Sequence, residues 1–191
     1  KPDCETIEHW FTKNAIKKLS AIRTLINQIP EKFGDSKKIK DIQDLLLICF
    51  SSIIRRVSNA DNESQKTYVS HTKIKEPEEV NSLFFSQLNL FVDRATIYSA
   101  TINSKAKNKI IHSSSSASLD KKLNGFQIDL AITSPPYIKA IDYIYNQMVE
   151  LFWIGDLFQM QTQTKQNSKK IQYIGNKQIQ SLITTLHTIP L

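Results

Sequence analysis

Apolar residues recur every three or four positions through most of the first hundred or so residues, which is the spacing of one face of an α-helix. The first such stripe consists of Ile16, Leu19, Ile22, Ile26 and Ile29. The pattern predicts three helices, over about 13–29, 40–57 and 78–101. Pro30 and Gly34 are expected to end the first helix. The polar stretch between the second and third helices lacks periodicity and is expected to be a long loop.

The pattern changes in the second half of the chain. Residues 109–112 and 126–132 are short apolar runs bounded by polar or turn-forming residues, which favours two buried strands. An amphipathic stretch over 142–154 then predicts another helix. We therefore expect an α/β fold, with a helical segment over 1–104 and a partial α/β segment over 105–191.

The chain is basic, with 25 lysines and arginines against 18 acidic residues and a formal net charge of +7. Such an excess suits a polyanionic partner such as DNA. An AT-rich coding bias toward lysine explains the same excess equally well, so both interpretations stay open. No apolar run is long enough to cross a membrane, and the cytoplasm is the expected compartment.

The cysteines and histidines show no metal-ligand spacing. Cys4 and Cys49 are far apart and lie in no Cys/His cluster, so neither a disulfide framework nor a zinc site is expected. The four histidines are scattered along the chain, and no metal is expected. Cys49 lies in an apolar stretch of the second predicted helix and is expected to be a core residue.

Two successive prolines follow the second predicted strand, in the sequence Thr133-Ser134-Pro135-Pro136-Tyr137. Prolines fix φ near −65° and remove backbone donors, so this turn presents oxygen acceptors without competing N–H groups. Ser134 and the Pro135 carbonyl could each accept one hydrogen of an exocyclic amino group. Tyr137 offers an aromatic face on which a base turned out of a duplex could stack. The sequence therefore predicts a base-binding site here, the alternative being a rigid loop that enters a helix.

Asp129 to Tyr137 resembles motif IV of the amino-directed DNA methyltransferases, whose signature is (D/N/S)PP(Y/F). The resemblance implies a partial Rossmann-like sheet and identifies Ser134, Pro135, Pro136 and Tyr137 as catalytic residues, with Thr133 and Asp129 steadying the turn. Serine in the first position is typical of N4-cytosine enzymes. The resemblance to this family further implies S-adenosyl-L-methionine as the methyl donor and double-stranded DNA as the partner. It also implies a bacterial restriction-modification system with a cognate endonuclease.

Other stretches are similar to one bacterial branch of this family, namely Glu8 to Phe11, Ser51 to Asp61, Glu150 to Trp153 and Tyr173 to Gly175. The chain departs from the family in one respect, because its four glycines form no glycine-rich turn for the cofactor. We therefore expect the base-binding half of an enzyme, whose cofactor half precedes Lys1 or has been lost. N6-adenine methylation and a truncated, non-catalytic DNA-binding fragment remain alternatives.

Two arginines near the end of the second predicted helix are the candidate DNA contacts. Arg55 and Arg56, followed by Ser58 and Asn59, form a short polar segment that could bind phosphates. The other interpretation is a helix C-terminus with solvated charges, where cations are favoured by the helix dipole. Glu150 and Trp153 are expected to be helix-face and core residues.

Overall fold

The computed structural model describes residues 2, 6–64, 66–72, 74–102, 127, 129–130, 132 and 143–158. Within these residues the α-helices are α1 (Ile7–Trp10), α2 (Lys13–Asn27), α3 (Ile29–Phe33), α4 (Lys37–Ile54), α5 (Val80–Thr101), α6 (Tyr143–Asn146) and α7 (Met148–Ile154). A 3-10 turn over Gly155–Phe158 follows α7. No helix of this part of the chain has the length and apolar character needed to cross a membrane.

The first predicted helix is confirmed as α2, which ends two residues earlier than expected. Thr12 caps it, with its hydroxyl accepting a hydrogen bond from the Ala15 amide at 3.2 Å. Pro30 lies in the first turn of α3, where its missing N–H costs nothing, so it helps to start a short helix. Gly34 ends α3 with a positive φ of 87°, a conformation that glycine adopts without strain.

The second and third predicted helices are confirmed as α4 and α5. The hydroxyl of Ser36 accepts from the Ile39 amide at the start of α4. Glu79 caps α5, with a carboxylate oxygen accepting from the Ser82 amide at 2.7 Å. The described residues between 55 and 79 form neither helix nor strand, as predicted. Only the beginning of α5 is buried, and Tyr98 near its end is 63% exposed.

Helix α4 lies at the centre of the core and packs against α2, α3, α5 and α7. The largest fully buried side chains are Phe11, Phe50, Ile7, Leu19, Ile53 and Ile54. The ring of Trp153 on α7 meets Phe11 and Phe50 edge to face, with centroid separations of 5.6 and 6.1 Å. The predicted core positions of Trp153 and Cys49 are therefore confirmed. One core thus takes residues from both ends of the described chain.

The expected α/β fold with a partial Rossmann-like sheet is wrong, because the described residues contain helices and no strand. Most of the two apolar runs expected to be strands lies outside the described residues. Of the second run, Leu130 and Ile132 are 75% and 89% exposed and belong to no strand. A short apolar run does not by itself define a strand, which also needs a neighbouring strand to satisfy its backbone. The division at residue 104 stays a prediction.

Candidate nucleic-acid interface

Arg55 follows the last residue of α4 and turns its guanidinium inward, toward α6 and α7. Its Nε donates to Glu150 Oε1 at 3.3 Å, and the two side chains are 21% and 18% exposed. A second nitrogen donates to the hydroxyl of Thr67 at 2.6 Å and to the backbone carbonyl of Asn146. Glu150 lies in the first turn of α7, where a negative charge is favoured.

Thr67 completes this set of contacts, which we call the Arg55 network (Arg55, Thr67, Asn146 and Glu150). Its hydroxyl donates to the Asn146 carbonyl at 2.7 Å while it accepts from Arg55, and the residue is fully buried. The Asn146 carbonyl ends α6, where carbonyls have no partner within the helix. The network therefore fixes the break between α6 and α7 to the end of α4.

Arg56 points away from this network and pairs with Glu78. Two guanidinium nitrogens donate to the two carboxylate oxygens, each at 2.7 Å. The side chains are 40% and 45% exposed, so water screens the pair. The hydrogen bonds from Arg56 hold the pKa of Glu78 below its ordinary value. Arg56 is thus the more accessible of the two arginines.

Ser58 and Asn59 lie in the turn that follows α4. Ser58 is fully buried, and its hydroxyl donates to the Arg55 carbonyl at 2.7 Å. The Asn59 side chain donates to the carbonyl of His9 at 3.0 Å, and its backbone amide donates to the carbonyl of Trp10 at 2.7 Å. Ser58 therefore stabilises the turn itself, and Asn59 joins the end of α4 to the N-terminal segment. Their assignment to DNA binding stays a prediction.

Lys75 caps the same end of α4 from the following loop. Its ammonium donates to the carbonyls of Arg55 and Ala60 at 2.6 and 3.0 Å, and to the side-chain oxygen of Asn62 at 2.9 Å. Partial burial, with the nearby charge of Arg55, lowers the pKa of Lys75 to about 8. The region around the end of α4 thus holds three cationic side chains, those of Arg55, Arg56 and Lys75.

An open cleft of about 670 Å³ lies beside these residues, between the end of α4 and the start of α7. Its walls are formed by the charged residues Arg55, Arg56 and Glu150, together with the polar residues Ser51, Ser52, Asn62 and Gln147. Because the guanidinium of Arg55 is occupied by Glu150, Thr67 and Asn146, Arg56 is the arginine of this cleft that could contact an anion such as a phosphate.

The predicted base-binding residues Ser134, Pro135, Pro136 and Tyr137 lie outside the described residues, as does Thr133. Asp129, expected to steady that turn, is described and exposed. The structure brings Arg55, Arg56, Ser58 and Asn59 to one end of α4. It also joins that end to α6 and α7, the helices that follow the proline motif in the sequence.

Sequence reasoning missed Thr67, Lys75 and Asn146, which belong with Arg55 in space. The first two lie in a polar loop without periodicity, and the third lies at a helix end far along the chain. The sequence predicted Glu150 on a helix face but did not predict its ion pair with Arg55. Arg55 and Glu150 are 95 positions apart in the sequence, and a contact over such a separation leaves no local pattern. A single sequence therefore carries no signal for these contacts.

The chain is similar to the Type II methyltransferase M.MvaI of Kocuria varians, with 24% identity over 190 residues. The similarity covers 95% of this chain, so it extends over both the helical part and the residues that follow it. No protein-family model and no solved structure matches the chain. It is therefore a distant relative of a type II methyltransferase, and it spans 40% of that protein's length.

Proposed function

We propose that the chain is part of a DNA methyltransferase that modifies the exocyclic amino group of a base, with N4 of cytosine favoured. One observation carries the proposal: the sequence Thr133-Ser134-Pro135-Pro136-Tyr137 occurs in a chain that is similar to a type II methyltransferase over 95% of its length. A restriction-modification system, with a cognate endonuclease as its second enzyme, is the setting that we propose for it.

The proline motif supplies the groups that such a reaction needs from the protein. Ser134 and the Pro135 carbonyl each accept a hydrogen from the amino group, which leaves the nitrogen lone pair directed at the methyl donor. Pro136 keeps the turn stiff, and Tyr137 stacks on the base once it has left the duplex. An aromatic face of this kind contributes roughly 1–3 kcal/mol per stacked base.

The methyl donor that we propose is S-adenosyl-L-methionine, which supplies the transferred methyl group. This chain has no glycine-rich turn of the kind that usually binds this cofactor, because its four glycines (Gly34, Gly125, Gly155 and Gly175) are widely separated in the sequence. We therefore assign no cofactor-binding residue in this chain. The relative is longer than the aligned region, which is consistent with a cofactor site formed by other residues.

The polar cleft beside α4 is the proposed contact with the DNA backbone. Arg56 contributes to this cleft with a side chain that is 40% exposed, and a phosphate in place of the Glu78 carboxylate could accept the same two parallel hydrogen bonds. Arg55, Ser58 and Asn59 support this surface through their internal contacts. Arg55 also joins the cleft to the helices after the proline motif, so the two proposed DNA contacts lie on connected parts of the chain.

A second candidate is a non-catalytic DNA-binding fragment of a methylase. It is favoured by the net charge of +7 and by the missing glycine-rich turn. N6-adenine methylation is a variant of the first proposal, since the chemistry at the proline motif is the same. These three possibilities predict different products in one assay.

The assay measures transfer of a labelled methyl group from S-adenosyl-L-methionine to duplex DNA by the full-length protein, and mass spectrometry identifies the modified base. We expect N4-methylcytosine. N6-methyladenine would leave the reaction in place and correct the base. DNA binding without any transfer would favour the non-catalytic fragment.

Substitutions then test the motif. Tyr137→Ala should weaken capture of the base, whereas Tyr137→Phe should be mild because the aromatic face remains. Ser134→Ala should lower the transfer rate more than the DNA affinity, because the hydroxyl acts on the reacting group. Tyr98→Ala, at an exposed tyrosine of α5, is the matched control and should leave activity unchanged. Full activity in both Tyr137→Ala and Ser134→Ala would show that the motif is only a rigid loop.

A further inference from the structure

A second concave surface, separate from the cleft beside Arg55, has an apolar character. This groove of about 720 Å³ is formed by α2, α3 and the first two turns of α5, with Leu46 of α4 also contributing. It includes the buried side chains of Ile26 and Phe84, which are 3% and 7% exposed. The residues that form it share none with the Arg55 network.

Three large apolar side chains of the groove are mostly exposed. Leu25, Phe33 and Phe85 are 59%, 70% and 62% exposed, and each belongs to a different helix. Single apolar residues on a surface are ordinary, but several around one concave surface mark a binding site. Their position around one groove makes it a candidate binding surface.

The charges along the groove have one sign. Lys17, Lys18 and Lys32 contribute to its walls, and no aspartate or glutamate does. Lys18 is paired with Glu79, whereas Lys17 and Lys32 form no ion pair among the described residues. The groove therefore complements an occupant that is apolar along its centre and acidic along its edges.

Helix α2 gives the groove its length and shape. The α2 positions that line it are spaced three and four residues apart, from Asn14 and Lys17 through Ala21 to Leu25. This stripe covers roughly 17 Å at 1.5 Å per residue, about the length of three helical turns. An amphipathic helix that lies along such a groove inserts side chains at the same spacing.

We propose that this groove binds an amphipathic helix of a partner protein, with an apolar face and acidic flanks. A second copy of this chain is a poor occupant, because each copy carries a net charge of +7 and would bring lysines against lysines. A flat lipid surface is also a poor occupant, since it reaches the exposed side chains but cannot fill a concave groove. The proposal does not depend on the methyltransferase assignment.

The test uses a fluorescein-labelled synthetic peptide of about 18 residues, or five helical turns. It carries leucines at helical spacing along one face and glutamates beside them, and its binding to the full-length protein is followed by fluorescence anisotropy. A second peptide has lysine in place of each glutamate. We expect the acidic peptide to bind and the basic peptide to bind at least about tenfold more weakly, which corresponds to about 1.4 kcal/mol.

Variants locate the site. Leu25→Glu should weaken binding of the acidic peptide by roughly tenfold or more, because it places a charge on the apolar surface. Ile97→Glu is the matched control, since Ile97 is 65% exposed on α5 and lies outside the groove. Lys32→Glu should weaken the acidic peptide and strengthen the basic one. Circular dichroism should show the same helical content in all three variants, since each changes an exposed residue.

Several outcomes would overturn the proposal. Equal binding of both peptides would remove the argument from charge, and unchanged binding in Leu25→Glu would place the peptide elsewhere. Light scattering that shows a dimer broken by Leu25→Glu would make a second copy the occupant. If the protein binds anionic lipid vesicles but neither peptide, and Leu25→Glu abolishes the vesicle binding, the occupant of the groove is a lipid surface.

Discussion

The guanidinium of Arg55 lies 3.3 Å from a carboxylate oxygen of Glu150, although 95 residues separate the two in the sequence. The contact joins the end of α4 to the first turn of α7. Asn146, at the end of α6, is held by the same guanidinium and by Thr67. The chain after the proline motif therefore returns to the helical core at a polar contact as well as through the apolar face of α7.

Loss of Arg55 should destabilise the protein strongly. Arg55→Ala leaves the Glu150 carboxylate without its cation in a largely buried position, where the second carboxylate oxygen already has no hydrogen-bond partner among the described residues. Removal of one member of a buried ion pair costs about 3–5 kcal/mol, and the partial exposure of this pair favours the lower end. Urea denaturation measures the difference.

Arg56→Ala is the control for this prediction, because it removes the neighbouring arginine from an exposed pair with Glu78. Exposed pairs contribute about 0–1 kcal/mol, so this variant should unfold at nearly the same urea concentration as the native chain. Equal losses of stability in the two variants would contradict the difference in burial on which the prediction depends.

Lys75 should make stability rise with pH under mildly alkaline conditions. Its pKa is about 8 in the folded chain and near the ordinary 10.5 when unfolded. Between these pH values the unfolded chain holds a proton that the folded chain lacks, so the free energy of unfolding increases as the pH rises from about 8 to 10.5. Arg55 and Arg56 lower this pKa, while Glu78 and Asp61 oppose them.

The measurement is urea denaturation at several pH values for the native chain and for Lys75→Met, which cannot titrate at this position. We expect the native chain to gain stability relative to Lys75→Met as the pH rises through this window. Lys66→Met, at an exposed lysine of the same loop, should keep the native pH dependence. A constant difference between the native chain and Lys75→Met would show that the pKa of Lys75 is not lowered on folding.

Glu79 should contribute to stability at neutral pH and lose that contribution in acid. The hydrogen bond from Lys18, with the backbone amides of Ser82 and Asn81, lowers its pKa from 4.5 to about 2. A carboxyl group with a lowered folded pKa stabilises above its unfolded pKa, and the effect disappears as the pH falls from about 4.5 to 2. The cap of α5 should therefore weaken in this range.

Acid titration followed by circular dichroism tests this prediction. Glu79→Gln should unfold more easily than the native chain at pH 7, and the difference should shrink toward pH 2. Glu76→Gln, at an exposed glutamate just before the helix, serves as the control and should follow the native curve. A difference between native and Glu79→Gln that does not change with pH would indicate that only the shape of the cap matters.

The main helices could be predicted from the sequence because their evidence is local. A repeat of 3.6 residues defines one face, and the three predicted ranges begin and end within three residues of the observed bounds of α2, α4 and α5. The error at Pro30 has the same local origin, since proline is compatible both with the end of one helix and with the first turn of the next. Tyr98 followed the periodic pattern but remains exposed, because periodicity does not reveal where a neighbouring helix stops.

The second expected strand failed, in its described part, for a different reason. A run such as 126–132 is apolar enough for a strand, but a strand is stable only where another strand or a helix covers it. The described part of that run, including the mostly exposed Ile132, forms no ladder. The Arg55 network was equally invisible, since Arg55 and Glu150 become neighbours only when α7 packs against α4.

The last prediction concerns Arg56 as a contact to DNA phosphate. Its guanidinium is exposed and holds Glu78 with two parallel hydrogen bonds, and a phosphate would have to displace that carboxylate. Arg56→Gln should weaken DNA binding and reduce the slope of log affinity against log salt by about one contact, or about 0.9. Glu78→Gln should strengthen binding, because it frees Arg56 and removes a negative charge. The variant that combines Arg56→Gln with Glu78→Gln separates these effects. A gain in DNA binding from Glu78→Gln that persists without Arg56 comes from the change in net charge alone.

Arg94→Gln, at an exposed arginine of α5, is the control, because it makes the same change in net charge as Arg56→Gln and should leave the slope unchanged. An equal drop in both arginine variants would mean that no specific contact exists at Arg56, and absence of DNA binding even at low salt would assign the basic charge to coding bias.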